Sequence, residues 1–233
     1  MTGSDIVTKV RLAIDEVLQN KAALVTTADD NEKAILDSII LSCINNALIW
    51  VAIYAPYNMI TGLSSWISDD WQSVVTDDAT PNRRTTITLT EKFVRLVRVR
   101  LPSWHCAVMT PVEEDSDEYI EQYDETAMAT AELPVAAVIH TAPKKIECYP
   151  GLSEEEVEAG AVPDITYLIT PEYDEDDEDA NIEIPALLQP ALIYYTAYLT
   201  LSALRDSQNT EMLRIALQML GLSKTTTTTS SDE

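Results

Sequence analysis

The chain has 233 residues, enough for one elaborated domain or two small ones, and either would bury roughly 70% of the surface that the unfolded chain exposes. Apolar residues make up 46% and charged residues 23%, ordinary globular usage, but 39 acidic residues face 15 basic ones for a formal charge of -24. That balance excludes a surface that grips nucleic-acid phosphates, because such binding depends on Lys and Arg releasing counterions, and it disfavours adhesion to anionic membrane.

Ser4 is placed to cap a first helix, in which Ile6, Val10, Ala13, Ile14, Val17 and Leu18 follow the three-four spacing of one buried face. A polar loop from Thr26 to Asn31 precedes a second helix, predicted from about Glu32 to Tyr54 and ended by Pro56. Ile35, Ile39, Cys43, Ala47 and Val51 form one stripe on it, while Leu36, Ile40, Ile44, Leu48 and Trp50 fill other faces. The period then changes. Thr86 to Thr90 and Val97 to Leu101 alternate polar and apolar residues as half-buried strands do, and further strands are predicted at Val135 to His140, Lys145 to Tyr149 and Ile165 to Thr170. A helix is predicted from Asp117 to about Ala131, with Tyr119, Ile120, Tyr123, Ala127 and Ala131 on one side. After the acidic run Glu172 to Asp179, Pro185 fits the first turn of a helix carrying Leu187, Leu188, Ala191, Leu192, Tyr195, Tyr198, Leu199 and Leu201. A last helix starts at Asn209 or Thr210 and stops at Gly221, and the Thr-rich stretch from Ser223 to Glu233 is expected to be mobile. The fold class expected is α+β, mainly α: residues 1–80 and 184–222 form a helical bundle, residues 81–183 a β-rich insertion with one helix, and residues 223–233 a flexible tail.

Two stretches lack any Asp, Glu, Lys, Arg or His: the 31 residues between Asp37 and Asp69, and the 21 between Glu183 and Arg205. Each is long enough to raise the question of a membrane span, which needs about 20 apolar residues. Asn45, Asn46, Pro56 and Asn58 interrupt the first, Pro185, Gln189 and Pro190 the second, and neither has basic flanks. They read as helices buried on most sides, partly by neighbouring copies of the chain.

Catalytic and metal-binding patterns are missing. The two histidines, His105 and His140, stand without Cys or His at metal-ligand spacing, there is no HExxH, and five glycines supply no phosphate loop and no GxSxG elbow. The acids of 174–179 begin like a calcium loop, but Asp179 stands where the turn needs Gly and Pro185 where the bidentate Glu belongs. A solvated loop is the plain reading, with loose divalent-ion binding at a subunit contact as the alternative. No enzyme activity, metal or cofactor is expected. Cys43, Cys106 and Cys148 lack a CxxC pairing and read as small buried hydrophobes in a reducing compartment. Asp5, Lys9, Arg11, Asp15, Glu16 and Lys21 leave no room for an apolar signal-peptide core. Six of the fifteen basic residues, Arg83, Arg84, Lys92, Arg95, Arg98 and Arg100, fall within eighteen residues. They pair with the chain's own acids or form a docking face for an acidic neighbour.

Several segments together resemble the head-to-tail adaptor (connector ring) proteins of short-tailed bacteriophages, in the lineage infecting gut bacteria. They are Asp5-Ile6-Val7-Thr8-Lys9-Val10-Arg11, Phe93-Val94-Arg95-Leu96 leading into Leu101-Pro102-Ser103-Trp104, Asp115-Ser116-Asp117-Glu118-Tyr119, and the closing helix from Ile184-Pro185-Ala186-Leu187 to Leu201. The resemblance implies a homo-oligomeric ring, commonly of twelve copies, made in the host cytoplasm and placed in the virion neck. There it would join the portal protein to the neighbouring tail ring protein and pass the genomic DNA through its bore without specific binding or membrane contact. Arg95, Arg98, Arg100, Trp104, Leu192, Tyr195 and Tyr198 are then the candidate subunit-interface residues, and Ser223, Lys224 and Thr225 the candidate portal-docking residues. Acids lining the bore would repel DNA phosphates over roughly 8 Å at physiological salt. Two other readings stand beside this one: another ring of the tail barrel, and an acidic DNA-mimic inhibitor, against which the clustering of carboxylates in three loops or turns counts.

Overall fold

In the computed structural model, residues 1–17, 30–60, 63, 65–78, 81–174, 177, 179–204 and 209–222 are described. Among them the fold is α+β, 40% helical and 21% strand, with seven helices and two sheets. The chain divides into two compact units: Met1–Leu63 with Pro171–Glu233, and Ser64–Thr170.

The first unit is built from α1 (Gly3–Val17), α2 (Asp30–Tyr54), the single turn α3 (Tyr57–Ile60), α6 (Gln189–Ala203) and α7 (Asn209–Met219). Ile6, Val10, Ala13 and Ile14 of α1 are buried as the spacing predicts. The cap is Thr2 rather than Ser4: the Asp5 N–H donates to Thr2 Oγ1 and the Thr2 N–H to Asp5 Oδ2, both at 3.2 Å, a reciprocal capping pair set two residues earlier. The buried side of α2 is Ile40, Ile44, Ala47, Leu48, Val51 and Ala52. The stripe headed by Ile35 is therefore only half right, since Ala47 and Val51 are enclosed but Ile35 is 62% exposed. In a helix apolar all round, period alone does not say which side faces the core.

Helix α6 begins at Gln189, with Pro190 rather than Pro185 in its first turn. Leu187 precedes the helix and is largely exposed, while Leu192, Ala197 and Leu201 are buried. Thr196 and Thr200 are buried on the same side, because Thr196 Oγ1 donates to the Leu192 carbonyl (2.8 Å) and Thr200 Oγ1 to the Thr196 carbonyl (2.9 Å). Helix α7 buries Met212 and Ala216 and closes with Gly221 at φ 73°. Leu222 N–H donates to the Leu217 carbonyl and Gly221 N–H to that of Gln218, the paired bonds of a Schellman ending.

The second unit holds an antiparallel sheet ordered β1-β8-β4 and a second ordered β2-β3-β7-β6-β5. The strands are β1 (Ile67–Ser68), β2 (Ser73–Asp77), β3 (Arg84–Thr88), β4 (Phe93–Arg100), β5 (Val112–Glu113), β6 (Val135–Ile139), β7 (Lys145–Tyr149) and β8 (Asp164–Ile169). Among the described strands, β5 alone runs parallel to its neighbour, β6. One core joins strands of both sheets, with Ile87, Phe93, Val99, Val138, Ile146 and Ile165 among its members. The helix predicted from Asp117 to Ala131 is a correction: α4 spans only Asp117–Ile120, followed by a 3-10 turn, Glu121–Tyr123, and the next helix of this unit, α5, is the short Glu154–Glu158. Asp124 Oδ1 accepts from both the N–H and the hydroxyl of Thr126, which turns the chain out of the helix.

The unit boundaries at 63/64 and 170/171 differ from 80/81 and 183/184, where the change of period pointed. β1 and β2 are short strands without a clean alternation. Residues 171–188 go with the helices because Tyr173, Ile182 and Leu188 are buried there, and because Ile182 N–H donates to the Met1 carbonyl at 2.7 Å. The candidate docking residues Ser223, Lys224 and Thr225 lie outside the described residues, as do Glu175, Asp176 and Glu178 of the acidic run.

Two substitutions test this packing. Leu192→Asp places a charge with no partner at a fully buried site and is expected to cost about 4 kcal/mol or more in urea unfolding. Gly151→Ala is expected to cost about 2 kcal/mol or more, because its Cβ would lie 2.6 Å from the Arg84 carbonyl carbon and 2.7 Å from Thr85 N, both backbone atoms.

Candidate assembly surface

The uncharged stretches fold into α2 and α6, which pack on each other. Trp50 is the fifth residue from the end of the long α2 helix, and Tyr195 sits near the middle of α6. Their rings stack with centroids 3.9 Å apart and planes 7° apart. Tyr54, one turn after Trp50, lies 5.4 Å from it, and Tyr198, one turn after Tyr195, lies 5.4 Å from that ring. The helical spacing of four on one helix and three on the other thus makes a continuous row, Tyr54-Trp50-Tyr195-Tyr198. Tyr54 is 49% exposed, and the other three are half-buried. Burial, then the neighbouring Tyr198 and Tyr54, raise the Tyr195 hydroxyl above its ordinary pKa.

The segment Lys33–Tyr54 is long and apolar enough to cross a membrane by length and composition, and 28% of its apolar window is buried. Asn45 ties the helix into the fold: its Nδ2 donates to the Tyr173 carbonyl (3.1 Å), and its Oδ1 accepts the Tyr173 N–H (2.8 Å). Arg11 of α1 pairs with Asp37 of α2 at the other end.

The basic candidates are placed differently. Alternation in β4 is broken by register shifts between Phe93 and Arg95 and between Leu96 and Arg98. Arg98 and Arg100 point outward, but Arg98 Nη2 donates to Asp164 Oδ1 at 2.9 Å and Arg100 Nε to the Trp104 carbonyl at 3.2 Å. Arg95 is half-buried, and burial lowers its pKa. Trp104 is 1% exposed, with Nε1 donating to the Pro150 carbonyl at 2.8 Å, and Leu192 is fully buried. Of the seven interface candidates, only Tyr195 and Tyr198 are brought together at a partly open surface. Trp50 and Tyr54 complete that surface. Sequence reasoning placed Trp50 on a secondary face of its helix, and the only signal for the row was the recurrence of aromatics in both uncharged stretches.

The second unit also holds a buried polar cluster that no motif or spacing in the sequence marks. Glu147 of β7 is 8% exposed. It accepts from Arg84 Nη1 at 3.2 Å, from the Tyr119 hydroxyl at 2.9 Å and from the Tyr149 hydroxyl at 2.8 Å. Arg84 also grips Asp77 through Nε (3.2 Å) and Nη2 (3.0 Å). Arg83 reaches Asp78 (3.5 Å) and Glu154 (3.8 Å), so much of the basic segment is spent on the chain's own acids. Burial pushes both tyrosine hydroxyls well above their ordinary pKa, and their bonds to Glu147 add to the shift. The nearby Cys148 thiol is raised mainly by burial. Cys106, by contrast, is exposed, and Cys43 is partly covered, so only Cys148 is the buried hydrophobe expected of all three. Cys106 follows β4 in an irregular segment, where its thiol donates to the Glu132 carbonyl at 3.7 Å.

The same unit has a cleft of about 520 Å³ lined by Gln72, Leu89, Glu91, His140, Ala142, Pro143 and Lys144. Lys144 Nζ is committed to the Phe93 carbonyl at 2.9 Å, and His140 Nε2 lies 3.1 Å from Glu113 Oε2. No Ser, Thr or Cys stands among these lining residues to serve as nucleophile. Among the described residues no group of three or more His, Cys, Asp or Glu is arranged to hold a metal. In comparisons with known proteins, no family model matches the chain and no curated protein matches it.

The tyrosine shifts have a definite sign. A hydroxyl whose folded pKa lies above the unfolded value of about 10 supports the fold fully below pH 10, and that support is lost as pH rises further. The unfolding midpoint of the protein is therefore expected to fall above about pH 10. In Tyr149→Phe the fall should be shallower, as followed by thermal melts from pH 8 to 11.5.

Proposed function

We propose that the protein is a structural component of a bacteriophage virion, a head-to-tail adaptor whose copies form a ring between the portal protein and the neighbouring tail ring protein. In this reading it is mainly α, a helical bundle from both ends of the chain with a β-rich insertion. It is not an enzyme and takes no cofactor. The observation that carries the reading is the pairing of two charge-free stretches, residues 38–54 of α2 and the whole of α6, into a half-open aromatic row on a chain of net charge -24. Such a surface favours contact with protein, while the acidic remainder stays solvated and repels nucleic acid.

A ring needs two different patches on each copy, repeated by a closing rotation. The aromatic row supplies one. The β4 arginines are weaker candidates for the other, because Arg98 is committed to Asp164. Genomic DNA would pass through the bore without specific binding, since the acids far outnumber the bases. The bonds of Asn45 to the backbone of Tyr173 support a helix held in the folded unit rather than in a membrane.

Imaging of intact particles tests the position. Density fitting this chain in a ring directly beneath the portal is expected. Density farther down the tail would assign it to a tail-barrel ring. Its absence from purified particles would contradict a virion role.

A further inference from the structure

The aromatic row leaves an apolar surface open, and the charge around it narrows what covers that surface. Trp50 and Tyr195 form the stacked centre of the row, flanked by Tyr54 and Tyr198. Tyr54 is 49% exposed and Ile53 beside it 42%. Trp and Tyr are the side chains most often found at the desolvated centres of protein contacts, since they bring large rigid area at small cost in conformational freedom.

Charge decides which protein fits. Residues 38–68 and 184–204 contribute no Asp, Glu, Lys, Arg or His, so the net charge of -24 is carried elsewhere on the chain. Two copies meeting through their acidic surfaces would oppose like charges, whereas copies meeting through this row strip water from no ion. A basic partner would find no carboxylate in either stretch to pair with, since the acids of α2 all lie at or before Asp37, three turns or more from Trp50. We infer that the Tyr54-Trp50-Tyr195-Tyr198 row is a contact between copies of this chain, with the Trp50-Tyr195 stack at its centre. The inference rests on the ring reading and names the surface through which neighbouring subunits meet.

The test uses the full chain and the variants Tyr54→Glu and Tyr198→Glu, followed by sedimentation velocity over a wide concentration range, with far-UV circular dichroism to establish that each variant folds. The wild type is expected to sediment as a multiple of 25.9 kDa. The folded variants should require about tenfold or more protein to associate, the effect of an unpaired charge in a contact centre. Ile53→Lys serves if Tyr54→Glu does not fold. Folded variants that associate as the wild type does would overturn the inference while leaving the ring reading standing, which particle imaging decides separately. A wild type that remains at 25.9 kDa at every concentration would also overturn it. So would flotation of the wild type with neutral phosphatidylcholine vesicles that is lost in Tyr54→Glu, which would assign the row to lipid.

Discussion

The stacking of α2 on α6 is the contact on which the helical unit depends. Neither helix carries a charge along the paired stretch, so each must be covered by apolar material on more than one side. Ile44, Leu48 and Val51 of α2 and Leu192, Ala197 and Leu201 of α6 are enclosed within the unit. Trp50 and Tyr195 lie at the margin, where the pair meets the surface. Two buried threonines in α6 are tolerated because each hydroxyl is bonded to a carbonyl of its own helix. The same lack of charge that makes the pair a core also leaves an open edge, and a chain this acidic has few other places where a copy of itself can approach.

The second unit solves a different problem. Its basic residues, few as they are, are concentrated beside acids that the fold buries or half-buries. Arg84 bridges Asp77 of β2 and Glu147 of β7, and the tyrosines on α4 and β7 complete the coordination of Glu147. Removing one partner would leave a buried charge short of bonds, so the set acts as a lock on strand order rather than as a source of large net stability. This use of Arg83, Arg84 and Arg98 within the unit leaves less of the basic segment available to neighbours.

The strands at 84–100, 135–149 and 164–169 were legible because alternation is read directly from the period, and the last helix was legible from its Gly221 stop. The first cap was misplaced by two residues because Thr2, Ser4 and Asp5 all have capping chemistry and only the reciprocal bonds select one. The acidic helix at 117–131 failed because the Asp124 side chain offers the backbone a turn that helical propensity does not register. Trp104 looked like an interface residue beside outward arginines, yet the Pro150 carbonyl takes its only polar atom and the core takes the ring. In α2 and α6 the sequence shows hydrophobic surface on every side. Which side is left open depends on packing with the other helix, and that is a tertiary fact.

In the proposed role, several copies of this chain are held to a portal. Native mass spectrometry of the purified chain mixed with portal protein measures this most directly. The account requires a complex in which several copies of 25.9 kDa join one portal assembly. A chain that stays at 25.9 kDa, with the portal mass unchanged beside it, would contradict the account.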